Sequence, residues 1–145
     1  MTQPIALDVS QVPAEVFLRA RLLPIASGLG AVGSKLWKTG LPVPYRAARR
    51  ISGPLTTYSD EPLMRIHTFG KDYEQAATEA LKTDANILVL VDYPGWSTTL
   101  PNGLVVHCDW AEITEAARHE PYGAESVIER FVTEVRFGLS LVPTT

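Results

Sequence analysis

Residues 45–51 read YRAARRI, residues 63–69 read LMRIHTF and residues 72–91 read DYEQAATEALKTDANILVLV. In the second run, Met64, Ile66 and Thr68 fall on one face of an extended strand, and the intervening residues fall on the other. The residues between the first two runs, 52–61, include Gly53, Pro54 and Asp60 and form a loop too long for a tight hairpin turn. This region therefore predicts two strands followed by a helix.

The third run has the signals of a long helix. Asp72 is a suitable N-cap, and Gln75 follows three residues later, close to a capping box. Apolar and small residues then recur at helical spacing: Tyr73, Ala76, Ala77, Ala80, Leu81, Ile87, Leu88 and Val91. Asp84 and Asn86 interrupt this stripe, which leaves room for a fray or break there. The sequence Asp92-Tyr93-Pro94-Gly95 predicts the end of a helix ~30 Å long.

The flanking sequence predicts further strands and one more helix. A helix is expected over residues 13–23, capped by Ser10, and a short strand lies between residues 31 and 38. After the Asn102-Gly103 turn signal, residues 104–111 alternate as a strand. Residues 114–125 are polar and predict a loop. The fold class is α+β: a mixed, mainly antiparallel β-sheet of about four to five strands, packed against one long helix plus the N-terminal helix, in a single domain over residues 1–145.

The last strand is unusually long. Residues 126–142 at ~3.3 Å per residue would exceed ~50 Å, whereas a compact domain of this length has a diameter near ~40 Å. Two interpretations follow. Gly138 bends the strand or marks a bulge, or the end of the strand reaches a neighbouring molecule, which would indicate assembly.

Composition excludes several classes of protein. The 145 residues are 46% hydrophobic and 20% charged, as in soluble globular proteins, and the net charge of −3 predicts no general attraction to nucleic acid. The single cysteine, Cys108, excludes an internal disulfide and fits a reducing compartment. No apolar run approaches the ~20 residues that span a bilayer, and the first residues do not resemble a secretory signal.

No catalytic or metal-binding motif emerges. His107 and Cys108 are adjacent on a strand, so their side chains point to opposite faces and cannot bind one ion together. Gly28, Gly30 and Gly33 match the letters of a dinucleotide-binding fingerprint, but they follow a helix rather than a strand. We therefore predict no enzymatic activity, no catalytic residues, no metal and no cofactor.

The basic residues of the first two strands are the candidate site. If these strands pair, Arg46, Arg50, Arg65 and His67 would share the sheet face that does not carry Met64 and Ile66. Such a face would line a channel for a polyanion or form ion pairs between subunits. The alternative is a solvated face whose charges pair with Glu134 and other neighbours. Trp96, in the loop from Pro94 to Pro101, is a candidate docking contact, or else it folds back onto the core.

The order of elements resembles the tail terminator family of long-tailed, siphovirus-type bacteriophages over most of the chain. The similarity rests on four patterns of this sequence: Tyr45-Arg46-x-x-Arg49-Arg50-Ile51-x-Gly53 after Pro42; Asp60-Glu61-Pro62-Leu63-x-Arg65-Ile66-x-Thr68-Phe69; Ala76-Ala77…Ala80-Leu81; and Arg130-Phe131-Val132-x-Glu134-Val135-Arg136-Phe137. The segments 114–125 and 27–33 are less typical of that family.

The resemblance implies a structural role. Members form homo-oligomeric rings, commonly hexamers, that cap the finished tail tube, end tube polymerisation and present a surface to the head completion or neck protein. Genome DNA passes through the lumen without sequence-specific binding, and no membrane is involved. The implied location is the head-proximal end of the virion tail, and the host cytoplasm during assembly. On this interpretation Arg46, Arg50 and Arg65 are candidate lumen or subunit contacts.

Two other classes remain open. Another phage neck or head–tail connector protein would share the size, the acidity and the lack of catalytic motifs. A small cellular ligand-binding or enzymatic α/β domain would instead be a monomer or dimer with a deep pocket.

Overall fold

A computed structural model of the chain describes residues 13–101, 103–123 and 128–143. Within these ranges there are two α-helices, α1 (Pro13–Leu22) and α2 (Tyr73–Asp92), and two 3-10 turns at Leu23–Ile25 and Leu29–Ala31. The strands are β1 (Val32–Gly33), β2 (Tyr45–Ser52), β3 (Ser59–Asp60), β4 (Leu63–Gly70), β5 (Ser97–Thr99), β6 (Leu104–His119) and β7 (Glu129–Pro143). Ser10, the predicted cap of α1, lies outside the described residues.

All of these strands belong to one sheet. Its order is β1-β2-β4-β7-β6-β5, and β3 continues the line of β4 beside β7. Every pair is antiparallel except β1 with β2. The predicted α+β class is confirmed, but seven strands exceed the predicted four to five because β1, β3 and β5 have only two or three residues each. Segments that short carry no readable periodicity, and of the strand predicted between residues 31 and 38 only β1 forms.

The register of β2 with β4 corrects one prediction. Arg46 lies opposite Thr68, and Arg50 lies opposite Met64, so both arginines share the face of Met64 rather than that of Arg65. The predicted single basic face is therefore wrong. Side-chain direction alternates along each strand, so the face on which a residue lies depends on which residues are paired.

The predicted loop over residues 114–125 is also wrong at its start. β6 continues to His119 and pairs with β7 as far as Phe131. β6 has extra residues at three bulges, the first at Asp109, where Trp110 lies opposite Gly138. All of β7 is paired within the chain, which accounts for its length without a neighbouring molecule.

Helix α2 is continuous through the point where a break was considered. Asp72 caps it by accepting from the Gln75 amide at 2.8 Å, while Gln75 Oε1 accepts from the Lys71 amide at 2.8 Å. Asp84 accepts from Thr133 Oγ1 at 2.6 Å and from the Ala117 amide at 2.9 Å. The polar residue that interrupts the apolar stripe thus ties the helix to the sheet.

Both helices cover the same face of the sheet. The core between the two helices and the sheet contains, among other buried side chains, Phe17, Leu18, Leu22, Met64, Ile66, Ile87, Leu90, Val135, Phe137 and Leu139. A smaller cluster on the opposite face joins Tyr45, Ala47, Phe69 and Ile128 to the segment that follows β1. The part of that opposite face where the start of β4 pairs with the middle of β7 carries charged side chains, including Arg65 and Glu134.

Candidate assembly surfaces

Arg46 is buried beneath α2 and is not part of an open basic surface. Its side chain is 1% exposed, and Nη2 lies 2.8 Å from Glu79 Oε2. The same nitrogen donates to the Glu79 carbonyl at 2.8 Å, and Nε donates to Thr83 Oγ1 at 2.8 Å. Burial pushes the pKa of Glu79 upward, but the hydrogen bonds and charges of Arg46 and Lys82 together outweigh it, so the pKa is lowered overall. Arg46 therefore joins helix to sheet.

Arg50 fastens the loop between β2 and β4. Its Nη1 lies 2.5 Å from both carboxylate oxygens of Asp60, whose side chain is fully buried, and Nη2 donates to the Gly53 carbonyl at 2.6 Å. Gly53 has φ +121°, a conformation that favours glycine, and its backbone lies against Glu61 and Pro62. The structure thus gives Arg50 a local structural role.

Arg65 lies on the open face of the sheet. Its side chain is 40% exposed, and Nε donates to Glu134 Oε1 at 2.8 Å. Arg49 lies directly opposite it on β2 and is exposed. Of the predicted set, Arg65 alone keeps an exposed guanidinium on this face, and the pairing with Glu134 matches the solvated alternative. Sequence reasoning left Arg49 out of the site because the register was unknown.

His67 is nearly buried on the same face, with 6% exposure. Burial, together with the charges of Arg130, Arg49 and Arg65 and opposed by that of Glu120, lowers its pKa to about 4. Its Nδ1 has no hydrogen-bond partner in the described part of the chain. The imidazole is therefore neutral at pH 7, and His67 adds no charge to the surface.

Trp96 folds back toward the core. Its ring centroid lies 5.2 Å from that of Phe17 in an edge-to-face arrangement, and the Arg21 guanidinium lies 5.4 Å from the ring. The indole is half-buried as a result. Its predicted docking contact stays a prediction, while the packing matches the alternative.

The outer side of α2 is a surface that sequence reasoning missed. Large apolar side chains stand exposed along it and just beyond its end: Tyr73, Leu81, Leu88, Val89 and Tyr93, at 47–77% exposure. The predicted apolar stripe of the helix includes three of them, Tyr73, Leu81 and Leu88. We call residues 114–119 the far part of β6. Beside Leu81, a groove of about 260 Å³ separates α2 from this part of the strand and is lined largely by alanines and Phe131. We call the five exposed side chains the α2 outer face.

Chemistry-bearing groups do not converge. Across the described ranges, no three His, Cys, Asp or Glu side chains are placed to hold a metal ion. Cys108 is buried, and burial, aided by Asp109, raises the pKa of its thiol to about 11. His119 hydrogen-bonds Glu129 at 2.7 Å and belongs to β6 rather than to a loop. No helix in the described part of the chain is both long and apolar enough to cross a membrane.

Comparison with known proteins finds similarity among solved structures and none by sequence. No protein-family profile matches the sequence, and no curated protein matches it. A chain of the solved structure described as "Virion of native gene transfer agent (GTA) particle" is 11% identical, with 90% of each chain covered and a TM-score of 0.45.

Proposed function

We propose that this chain is a structural protein of a bacteriophage virion that forms a ring on the end of the tail tube. The ring, a homo-oligomer and in the simplest case a hexamer, ends tube polymerisation and offers the surface to which the head completion protein binds. It acts by shape and contact, without catalysis or a cofactor. Its place is the head-proximal end of the tail, after assembly in the host cytoplasm.

The α2 outer face is the observation that carries this proposal. Leu81 and Leu88, seven residues apart, expose apolar side chains on the same side of α2, and exposed apolar patches mark contacts with other proteins. Four of the five side chains of the α2 outer face lie on the capped 20-residue helix itself, and Tyr93 follows its last residue. The α+β architecture and the resemblance of the sequence patterns to those of tail terminators indicate which kind of assembly to test first.

The mechanism follows from unequal faces of a ring. One face of the ring reproduces the surface complementarity of a tube ring and binds the last ring of the tube. The opposite face lacks that complementarity, so no further tube subunit can bind. DNA passes through the lumen without sequence-specific contacts. Arg65 is the remaining candidate of the predicted arginines for a lumen or subunit contact, because it is 40% exposed despite its pairing with Glu134, whereas Arg46 and Arg50 are largely buried in pairs within the chain.

Tail length in the phage that encodes the chain tests the proposal. Deleting the gene is expected to give tails of abnormal or variable length by electron microscopy, and supplying the wild-type chain restores uniform tails. Tails of normal length that fail to join heads would support a neck or connector protein instead. Uniform tails on complete particles would contradict both the tail terminator role and the neck or connector role.

The α2 outer face can be tested directly with purified components. We expect Leu81→Glu with Leu88→Glu to abolish capping of growing tubes, because two charges would be buried at the contact. Ser97→Glu with Thr99→Glu adds the same two charges at exposed positions of β5, and this matched control should cap normally. Equal capping by both variants, each folded by circular dichroism, would contradict a role for this face.

A further inference from the structure

The sheet has two long open edges on opposite sides of the molecule. On the outer side of β2, β1 pairs only with Arg46 and Ala47, so residues 48–52 have no strand beside them in the described structure. On the outer side of β6, β5 pairs with residues 105–107, and the chain before β5 bonds Cys108. Residues 109–119 have no strand on that side within the described ranges.

These open stretches lie at the same level of the sheet. Following the ladder from Arg49 leads to Arg65, then Glu134, then Glu115 on β6. The next level on the same face starts at Ser52 and passes through Leu63 and Arg136 to Glu112. Successive antiparallel neighbours also make β2 and β6 run in opposite directions. A copy related by simple rotation would therefore bring its β2 beside β6 in an antiparallel sense.

Charge complements this geometry. The transverse row is positive on β2 and β4, at Arg49 and Arg65, and negative on β7 and β6, at Glu134 and Glu115. Arg49 and Glu112 are exposed, and neither has an ion-pair partner in the described part of the chain, whereas Glu115 forms an exposed pair with Arg118 at 2.5 Å. Arg49 also faces the like charge of Arg65, an unfavourable arrangement that an incoming carboxylate would relieve.

Side chains rather than a continuous backbone ladder make this contact. The Arg50 amide already donates to Glu15 Oε2 at 2.9 Å, and the Ala117 amide donates to Asp84. These internal acceptors occupy part of each edge and blunt it against indiscriminate strand pairing. The charges of Arg49 and Glu112, which have no ion-pair partner in the described structure, then select the partner.

We propose that a second copy of this chain binds head to tail through these edges, with Arg49 of one copy against Glu112 and Glu115 of the next. The inference rests on the proposed ring and names its subunit contact. An interface between two different patches closes into a ring when the rotation permits, and the opposite charges fix which edges meet.

Charge reversal tests the contact in solution. We expect Arg49→Glu, and separately Glu112→Arg with Glu115→Arg, to weaken self-association by about tenfold or more, because like charges would then meet. Sedimentation velocity over a concentration series measures the change. Lys71→Glu, the same charge change at an exposed site off both edges, is the matched control and should assemble as the wild type does.

Rescue distinguishes a direct contact from general damage. Mixing the Arg49→Glu chain with the Glu112→Arg, Glu115→Arg chain pairs opposite charges at every interface and should restore assembly, as should all three changes in one chain. Failure of both rescues, or unchanged assembly in the single reversals, would overturn the inference. So would a wild-type chain that remains monomeric up to about 1 mM, a concentration that detects even weak complexes.

The two proposals fail separately. Rings that form through another surface and still cap tubes would contradict the proposed edge contact and support the tail function. Rings that obey the charge rules, from a gene whose deletion leaves uniform tails on complete particles, would remove the tail function and leave the contact.

Discussion

The indole of Trp110 on β6 lies directly over the backbone of Gly138 on β7, at the level where Asp109 is the extra residue of a bulge. A Cβ at position 138 would meet the indole at distances that real contacts do not allow. The bulge and the glycine therefore belong together: one places Trp110 over β7, and the other makes room for it.

Replacing Gly138 tests this arrangement. We expect Gly138→Ala to lower the free energy of unfolding by about 1–3 kcal/mol through overpacking against the indole. In Trp110→Ala the same change should cost far less, so a double-mutant cycle by urea unfolding would show strong coupling. Gly30→Ala, where a Cβ meets nothing within 4 Å, is the control. Additive effects would contradict the contact.

The sequence predicted β2, β4 and α2 to within about a residue because their signals are local. Alternation and helical spacing are written in the segments themselves, and the Asp72 cap marks where α2 begins. The faces of Arg46 and Arg50 were not predictable in that way. They depend on the register across a loop and on the irregularity between Arg50 and Ser52, and a shift of one residue exchanges the two faces.

The far part of β6 was missed for a different reason. Residues 114–119 are mostly polar and exposed, so no apolar alternation marks them as a strand. They are extended because β7 offers a partner along its whole length. Likewise, the apolar stripe of α2 does not reveal which of its side chains the sheet leaves uncovered. The candidate assembly surfaces thus became visible only with the tertiary structure.

The buried pair of Arg46 and Glu79 should matter more to stability than the exposed pair of Arg65 and Glu134. Glu79→Gln would leave the Arg46 charge uncompensated under α2, at a cost of about 3 kcal/mol in the free energy of unfolding. Glu134→Gln, the matched change beside Arg65, should cost at most ~1 kcal/mol. Urea denaturation of both variants measures the difference, and equal losses would contradict the structural role of Arg46.

His67 predicts a specific pH dependence. Its pKa falls from 6.5 in the unfolded chain to about 4 in the folded one, so as the pH drops the unfolded chain takes up the proton first. Stability should therefore fall as the pH is lowered from about 6.5 toward 4, by about 1–2 kcal/mol at pH 5.

His67→Gln isolates this contribution, because it removes the titrating ring and leaves the other acidic and basic groups in place. The difference in unfolding free energy between wild type and variant, measured at pH 7.5 and pH 5, should shift in favour of the variant at the lower pH. A difference that is constant over that range would show that the ring is not buried in its neutral form.

Asp84 joins three elements, and its removal should loosen all of them. Its carboxylate accepts from Thr133 on β7 and from the Ala117 amide on β6, while its backbone belongs to α2. Asp84→Ala would leave the buried Thr133 hydroxyl and the Ala117 amide unpaired, at about 1–3 kcal/mol. Asp92→Ala, at the exposed end of the same helix, is the control and should change stability by at most ~0.5 kcal/mol.

Hydrogen exchange gives the sharper readout, because protection should fall at Ala117 in Asp84→Ala and stay unchanged in Asp92→Ala. If Ala117 remained protected, the far part of β6 would have to be held by β7 alone.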